Sequence, residues 1–184
     1  MVNAASWRSI LKIKFNELKE FIADHGRYIL AVFFFVPMII SQCAIWIGVT
    51  DIGFVSPWET SYREAFGGAE GYSFTVVMYW VMSPLVFLWI HSKANDQGMS
   101  LKKAIIVIPA IWLLSIACGI IVYDVGPAST LQHPSTRLLG ILIFGKWHLG
   151  FCILYGGIFY TFCFTIYIAS YLTFRLISNR LKKE

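Results

Sequence analysis

Residues Trp147–Phe174 read WHLGFCILYGGIFYTFCFTIYIASYLTF, a run without one Asp, Glu, Lys or Arg. A membrane-crossing helix needs about 20 consecutive apolar residues. A helix in a soluble core seldom runs that far uncharged on every face. Three more charge-free windows precede it: Tyr28–Thr50, Gly71–Ser92 and Ala104–Tyr123. Together they predict an all-α membrane protein, one domain over 1–184, with spans at 28–49, 72–91, 104–123 and 147–174. The last window exceeds one crossing and is expected to tilt or to emerge from the bilayer.

Composition agrees. Of 184 residues, 58% are hydrophobic and 14% are charged, where soluble domains carry about a quarter. The mean hydropathy is +0.67. A soluble globule, a disordered tail and a disulfide-framework toxin are excluded. The first span follows 27 residues that include acidic ones and is longer than a signal-peptide core, so it is expected to stay as an anchor.

Charge gives the sidedness. Segments 1–27, 91–103 and 175–184 carry 12 of the 15 basic residues and half of the 10 acidic ones. The opposite side holds only Arg63, Arg137 and Lys146 as basic residues. Basic residues favour the cytoplasm, which predicts a multi-pass protein of the bacterial inner membrane with both termini cytoplasmic. Topology and anionic lipid account for the excess charge, so no direct nucleic-acid binding is expected.

Residues 4–25 read as an amphipathic helix ahead of the first span. Trp7, Ile10, Leu11, Phe15, Leu18, Phe21 and Ile22 recur at helical spacing. Arg8, Lys12 and Lys19 lie along one flank, and Glu17, Glu20 and Asp24 along the other. An interfacial helix on lipid would account for the apolar stripe. Opposed flanks suit docking of a cytosolic protein, with Lys12, Glu17, Lys19, Glu20 and Asp24 as the contact set. Both readings stay open. The segment 175–184 is expected as a basic cytoplasmic tail.

The first outer loop contains Ser56-Pro57-Trp58-Glu59, a capping-box signature with Pro at the first helical position. Gly67 supplies the stop. The short helix so defined aligns Trp58, Tyr62, Ala65 and Phe66, and is expected to rest as a cap on the outer face. Trp58, Tyr62, Arg63 and Phe66 are the residues that could sense a ligand or partner there. In the second outer loop the apolar run Leu138–Phe144 is too short to span. It is either re-entrant or an extension of the fourth helix bent near Gly145.

Within the fourth span Gly157, Thr161, Thr165, Ala169 and Thr173 recur every fourth residue. Small residues on one row let helices approach closely in lipid. These five are the expected packing or oligomer face, whether the neighbour lies in the chain or in another subunit. Pro37, Pro84 and Pro109 fall inside the other three spans and can kink them.

Ionisable groups inside spans usually mark proton relays and ion paths, and these windows hold none with a fixed charge. Gln42 is the most polar side chain within a span and is expected to form an interhelical hydrogen bond. His25 and His133 lie outside the spans while His91 and His148 cap opposite ends, an arrangement unsuited to haem ligation. Cys43, Cys118, Cys152 and Cys163 fall inside spans with no C-x-x-C, where thiols act as small apolar groups. No catalytic residue, cofactor site or metal site is predicted, and the chain is not expected to be an enzyme.

In length, span count and sidedness the whole chain resembles KwaA, the membrane subunits of the Kiwa antiphage defence system. It also resembles the four-span immunity proteins that guard the inner membrane against pore-forming colicins. No site residue is carried over from either group. The first resemblance implies a homo-oligomeric sensor or scaffold in contact with membrane lipids and a cytosolic effector. The second implies a protein that acts alone, by lateral helix contact with an incoming pore domain. A small channel subunit is a further alternative. The charged flanks of 4–25 and the outer loops favour the first.

Overall fold

The structure, a computed structural model, describes residues 24–93, 101–123 and 142–181, with Lys14, Glu17 and residues 20–22 before them. No described residue lies in a strand, and five helices have both ends described: α1 Gly26–Ile47, α2 Pro57–Phe66, α3 Tyr72–Lys93, α4 Leu101–Tyr123 and α5 His148–Leu181. All but α2 are long and apolar enough to cross a membrane. The protein is an all-α, four-helix membrane protein.

The expected spans and the observed helices differ at their ends. At about 1.5 Å per residue, the 34 residues of α5 measure about 51 Å, well beyond a hydrocarbon core of about 30 Å. The helix absorbs residues 175–181, which the sequence reading assigned to a separate tail. Helix α1 starts and stops two residues ahead of the expected span, and a glycine sets its stop. Gly48 adopts φ +77° and its N–H returns to the carbonyls of Ala44 and Ile45, a left-handed stop that favours glycine. At the other end, a Cβ on Gly26 would lie 2.6 Å from Trp89 Nε1 of α3. Only glycine lets the two helices meet there.

Helix α5 is the hub. It packs most extensively on α4, then on α3 and α1, while α1 also packs on α3 and α2 sits on α3. The α1–α2 connection, α2 and the turn before α5 gather at one end of the bundle, here the loop end. The start of α1 and the far ends of α3 and α5 form the terminal end. Between them the core is built from aromatic rings. Phe151, Tyr155 and Phe159, one turn apart on α5, stack with centroids 5.6 and 6.0 Å apart. Phe33 of α1 meets Tyr79 of α3 at 5.4 Å, and Trp80 meets Phe159 at 4.7 Å. Phe33, Tyr79, Phe151, Tyr155 and Phe159 are fully buried. Lipid tails are as apolar as these rings, so burial alone gives little reason to associate. Close packing and hydrogen bonds hold such helices together.

Tyr79 illustrates both. Its ring lies over Gly156, where a Cβ would come within 2.8 Å of it. Its hydroxyl reaches the carbonyls of Cys152, at 3.0 Å, and Phe34, at 3.3 Å. One side chain of α3 thereby ties α1 to α5.

Candidate functional site

Polar chemistry concentrates at the loop end, in two connected groups. The first surrounds His148, the opening residue of α5. Its Nδ1 lies 2.7 Å from Gln42 Oε1 of α1. An amide oxygen only accepts, so the Nδ1–H donates and the neutral ring presents Nε2 as an acceptor. Around Nε2 stand Thr75 Oγ1 of α3 at 2.9 Å, Ser41 Oγ of α1 at 3.0 Å and Cys152 Sγ at 3.5 Å. Ser41 has a shorter contact, 2.6 Å to the carbonyl of Pro37, and gives its proton there. Thr75 is 3.2 Å from the Gly71 carbonyl and closer to the ring, so its hydroxyl donates to Nε2. Ser41, Thr75 and Cys152 are sealed from solvent and lipid. The result is a satisfied polar knot that binds α1, α3 and α5 at one level. The interhelical bond expected of Gln42 is made here, to His148.

The second group caps two helices reciprocally. Ser56, the N-cap of α2, accepts from the Glu59 N–H at 3.2 Å. In a capping box the Glu side chain would return to the N–H of the capping serine. Here that N–H donates instead to Ser73 Oγ of α3, at 2.7 Å. The Glu59 carboxylate crosses over and accepts from the Ser73 N–H at 2.6 Å. Each helix start thus lends a side chain to the other. Glu59 is buried, and Arg63, one turn on, pairs with its free oxygen.

The outer sensing set falls differently from the sequence reading. Trp58 and Tyr62 point into the bundle and are sealed, so they cannot receive a ligand from outside. The Trp58 indole N–H donates to the carbonyls of Ile121 and Val122 at the end of α4, 3.1 and 3.3 Å away. Tyr62 donates to the Leu142 carbonyl at 2.9 Å. Burial pushes its hydroxyl up to about 12, which keeps that donor protonated. Tyr72 donates likewise to the carbonyls of Gly145 and Lys146, each at 2.9 Å. Phe66 is half-buried, and only Arg63 of the four is exposed. The correction has a physical cause. The apolar face of α2 is covered by the end of α4 and by the turn before α5, neither local in sequence. Residues 142–144 form a helical turn, and residues 145–147 break the helix before α5 begins. The rest of the 138–144 run lies outside the described residues.

The packing row on α5 divides. Thr165 and Ala169 are buried, and Thr173 is half-buried, with its oxygen 3.2 Å from Trp112 Nε1 of α4. Thr161 is exposed, and nothing lies within 4 Å of where a Gly157 Cβ would stand. The upper half of the row therefore has no neighbour among the described residues. Of the docking set, Glu17, Glu20 and Asp24 are exposed on helical backbone, while Lys12 and Lys19 lie outside the described residues. Ile22 on the same segment is buried.

At the terminal end His91 Nδ1 meets the Tyr167 hydroxyl at 2.5 Å. Among the described residues no three His, Cys, Asp or Glu side chains converge as a metal site requires. The sequence reading missed the knot because Ser41, Gln42 and Thr75 stand 73 to 107 positions from His148. Their signal was shared depth: polar residues lying near the loop-end termini of three spans. No family model matches the chain, nor does any curated protein or solved structure.

Proposed function

We propose that the protein is a non-enzymatic sensor and scaffold of the bacterial inner membrane. In this reading it assembles with copies of itself and docks a cytosolic effector, in antiphage defence. The loop end then faces outward and the terminal end inward, as the basic residues direct. One observation carries the reading. Helix α5 runs unbroken from the knot at His148 to Leu181, while α1, α3 and α4 each contain a proline. A displacement of the capped loop end has a stiff element along which to reach the opposite face. The solid aromatic core supports work by binding rather than conduction. Gly157, half-buried but open where a Cβ would stand, and the exposed Thr161 offer a patch for a sister subunit, and the exposed Glu17, Glu20 and Asp24 offer charge to a partner.

The test is gentle detergent purification from the native host at endogenous level, with Glu17→Lys/Glu20→Lys alongside. The expected result is a homo-oligomer carrying a stoichiometric soluble protein, which the charge reversal removes without loss of insertion or assembly. Full partner binding and activity after reversal would overturn charge-guided docking. A pure homo-species that protects cells from one pore-forming toxin would favour the immunity reading instead.

A further inference from the structure

The connection between α1 and α2 reads Gly48-Val49-Thr50-Asp51-Ile52-Gly53-Phe54-Val55. Four of its eight residues are apolar and one is charged. Asp51 accepts from the Gly53 N–H at 2.8 Å and closes a local turn. The apolar side chains are not drawn into the bundle: Val49, Phe54 and Val55 are each at least half exposed. Apolar side chains gathered in the open mark contact with another surface.

Height relative to the bilayer decides what covers them. The 22 residues of α1 measure about 33 Å, just past a hydrocarbon core of about 30 Å, so the connection begins at the rim of that core. It also ends there. The Ser56 N–H donates to Oγ of Ser73, the second residue of α3, at 2.7 Å. Two residues on, the Trp58 indole N–H donates to the carbonyls of Ile121 and Val122, in the last turn of α4. The segment is thus tied at both ends to the level where three spans stop. Apolar exposure also runs into it from the outer side of α1, through Ile39, Ile40 and Trp46, positions that face lipid in a spanning helix. Trp46 and Trp147, from two elements at this end, are 77% and 62% exposed. Neither indole N–H has a partner among the described residues. Tryptophan with an apolar ring and a free N–H concentrates at headgroup level. A soluble partner would meet the headgroups before it met this rim.

We propose that the α1–α2 connection is an interfacial lipid anchor, with its apolar side chains seated among the headgroups and upper acyl chains of the loop-side leaflet. The anchor does not depend on the defence reading. It joins the lipid surface to Ser56, and through Ser56 to the reciprocal cap of α2 and α3. The test places a nitroxide spin label on the full chain at Phe54→Cys and, separately, at Val49→Cys, in vesicles of phosphatidylethanolamine and phosphatidylglycerol. Cys43→Ser is the background, because Cys43 is exposed and the other three thiols are buried. Collisions are measured with oxygen, which concentrates in lipid, and with a water-soluble nickel chelate. Glu64→Cys, exposed on α2, gives the aqueous reference, and Leu113→Cys, 69% exposed in the middle of α4, gives the lipid reference. The oxygen-to-nickel ratio at 49 and 54 should lie several-fold above that at 64 and below that at 113. Should Phe54→Cys fail to assemble, Val49→Cys reads the same segment. A ratio equal to that at 64 would place the connection in water. Collision rates far below both references for both reagents would show a polypeptide over it, from a sister copy or from elsewhere in the chain. Either result overturns the proposal.

Discussion

Replacing His148 with Leu tests the knot directly. The substitution removes the donor to Gln42 Oε1 at 2.7 Å and the acceptor 2.9 Å from Thr75 Oγ1. Thr75 and Ser41 keep alternative acceptors in the carbonyls of Gly71 and Pro37, so neither hydroxyl is orphaned. Gln42, which is half-buried, loses the partner of its carbonyl; a fully buried polar group left unsatisfied costs about 1–3 kcal/mol, and a half-exposed one falls at the low end. Interhelical hydrogen bonds in membranes average about 0.6 kcal/mol and reach about 1.7. His148→Leu should therefore destabilise the bundle by about 1 kcal/mol. Gln42→Leu in turn strands the His148 Nδ1–H and should cost about as much. The deciding quantity is the coupling in a double-mutant cycle, read from reversible unfolding in mixed micelles. With His148 already gone, Gln42→Leu should be neutral or stabilising, and the coupling should reach about 1 kcal/mol or more. Additive effects within about 0.3 kcal/mol would mean that the two side chains do not interact, and the knot would be refuted.

Three further outcomes follow from the geometry. Gly156→Leu drives a side chain into the Tyr79 ring, 2.8 Å from the Cβ position, and should cost at least about 3 kcal/mol by overpacking and lost hydrogen bonds. Gly157→Leu should leave the melting temperature unchanged and weaken self-association in crosslinking assays; equal damage from the two changes would contradict the placement of the row. Glu59→Ala strands the buried Ser73 N–H, and Ser73→Ala strands the buried Ser56 N–H, so each should lower stability by about 2 kcal/mol. An unchanged stability in either variant would refute the reciprocal cap. For sidedness, a cysteine at the exposed Glu64 should react with an impermeant maleimide in intact cells and one at Ser178 should not. Ser61 is buried and would be a poor reporter. The opposite pattern would invert the topology.

The four spans were legible because each is a charge-free window longer than a bilayer requires, a property of composition that needs no partner. The cap of α2 was legible for a similar reason, since Ser56, Pro57, Glu59 and Gly67 act within one short stretch. Glu59 shows where local reading ends. Its residue type and position were right for a capping box, yet its carboxylate serves the next helix, because Ser73 is brought within 2.6 Å by the packing of α2 on α3. For Trp58 and Tyr62 the sequence offers both a structural cap and a sensing surface, because an amphipathic face tells which residues seek cover, not what covers them.

Helix α5 poses a harder version of that problem. In water the apolar side of a helix is the buried side, but in lipid every side is apolar and the contrast disappears. Two rows with a four-residue step coexist on α5: the aromatic and thiol row Phe151, Tyr155, Phe159, Cys163, all sealed in the core, and the small-residue row from Gly157 to Thr173. They are offset by two positions, about 200° around the helix, so Gly157 and Thr161 point away from the core. A four-residue step also advances about 40°. By Ala169, three steps on, the small-residue row has turned about 120° and is buried, on the row that reaches Trp112 of α4 at Thr173. One sequence pattern thus serves two surfaces in succession. Its lower half closes the chain on itself, and its upper half is left as the one small-residue face on α5 where a second helix backbone could come close.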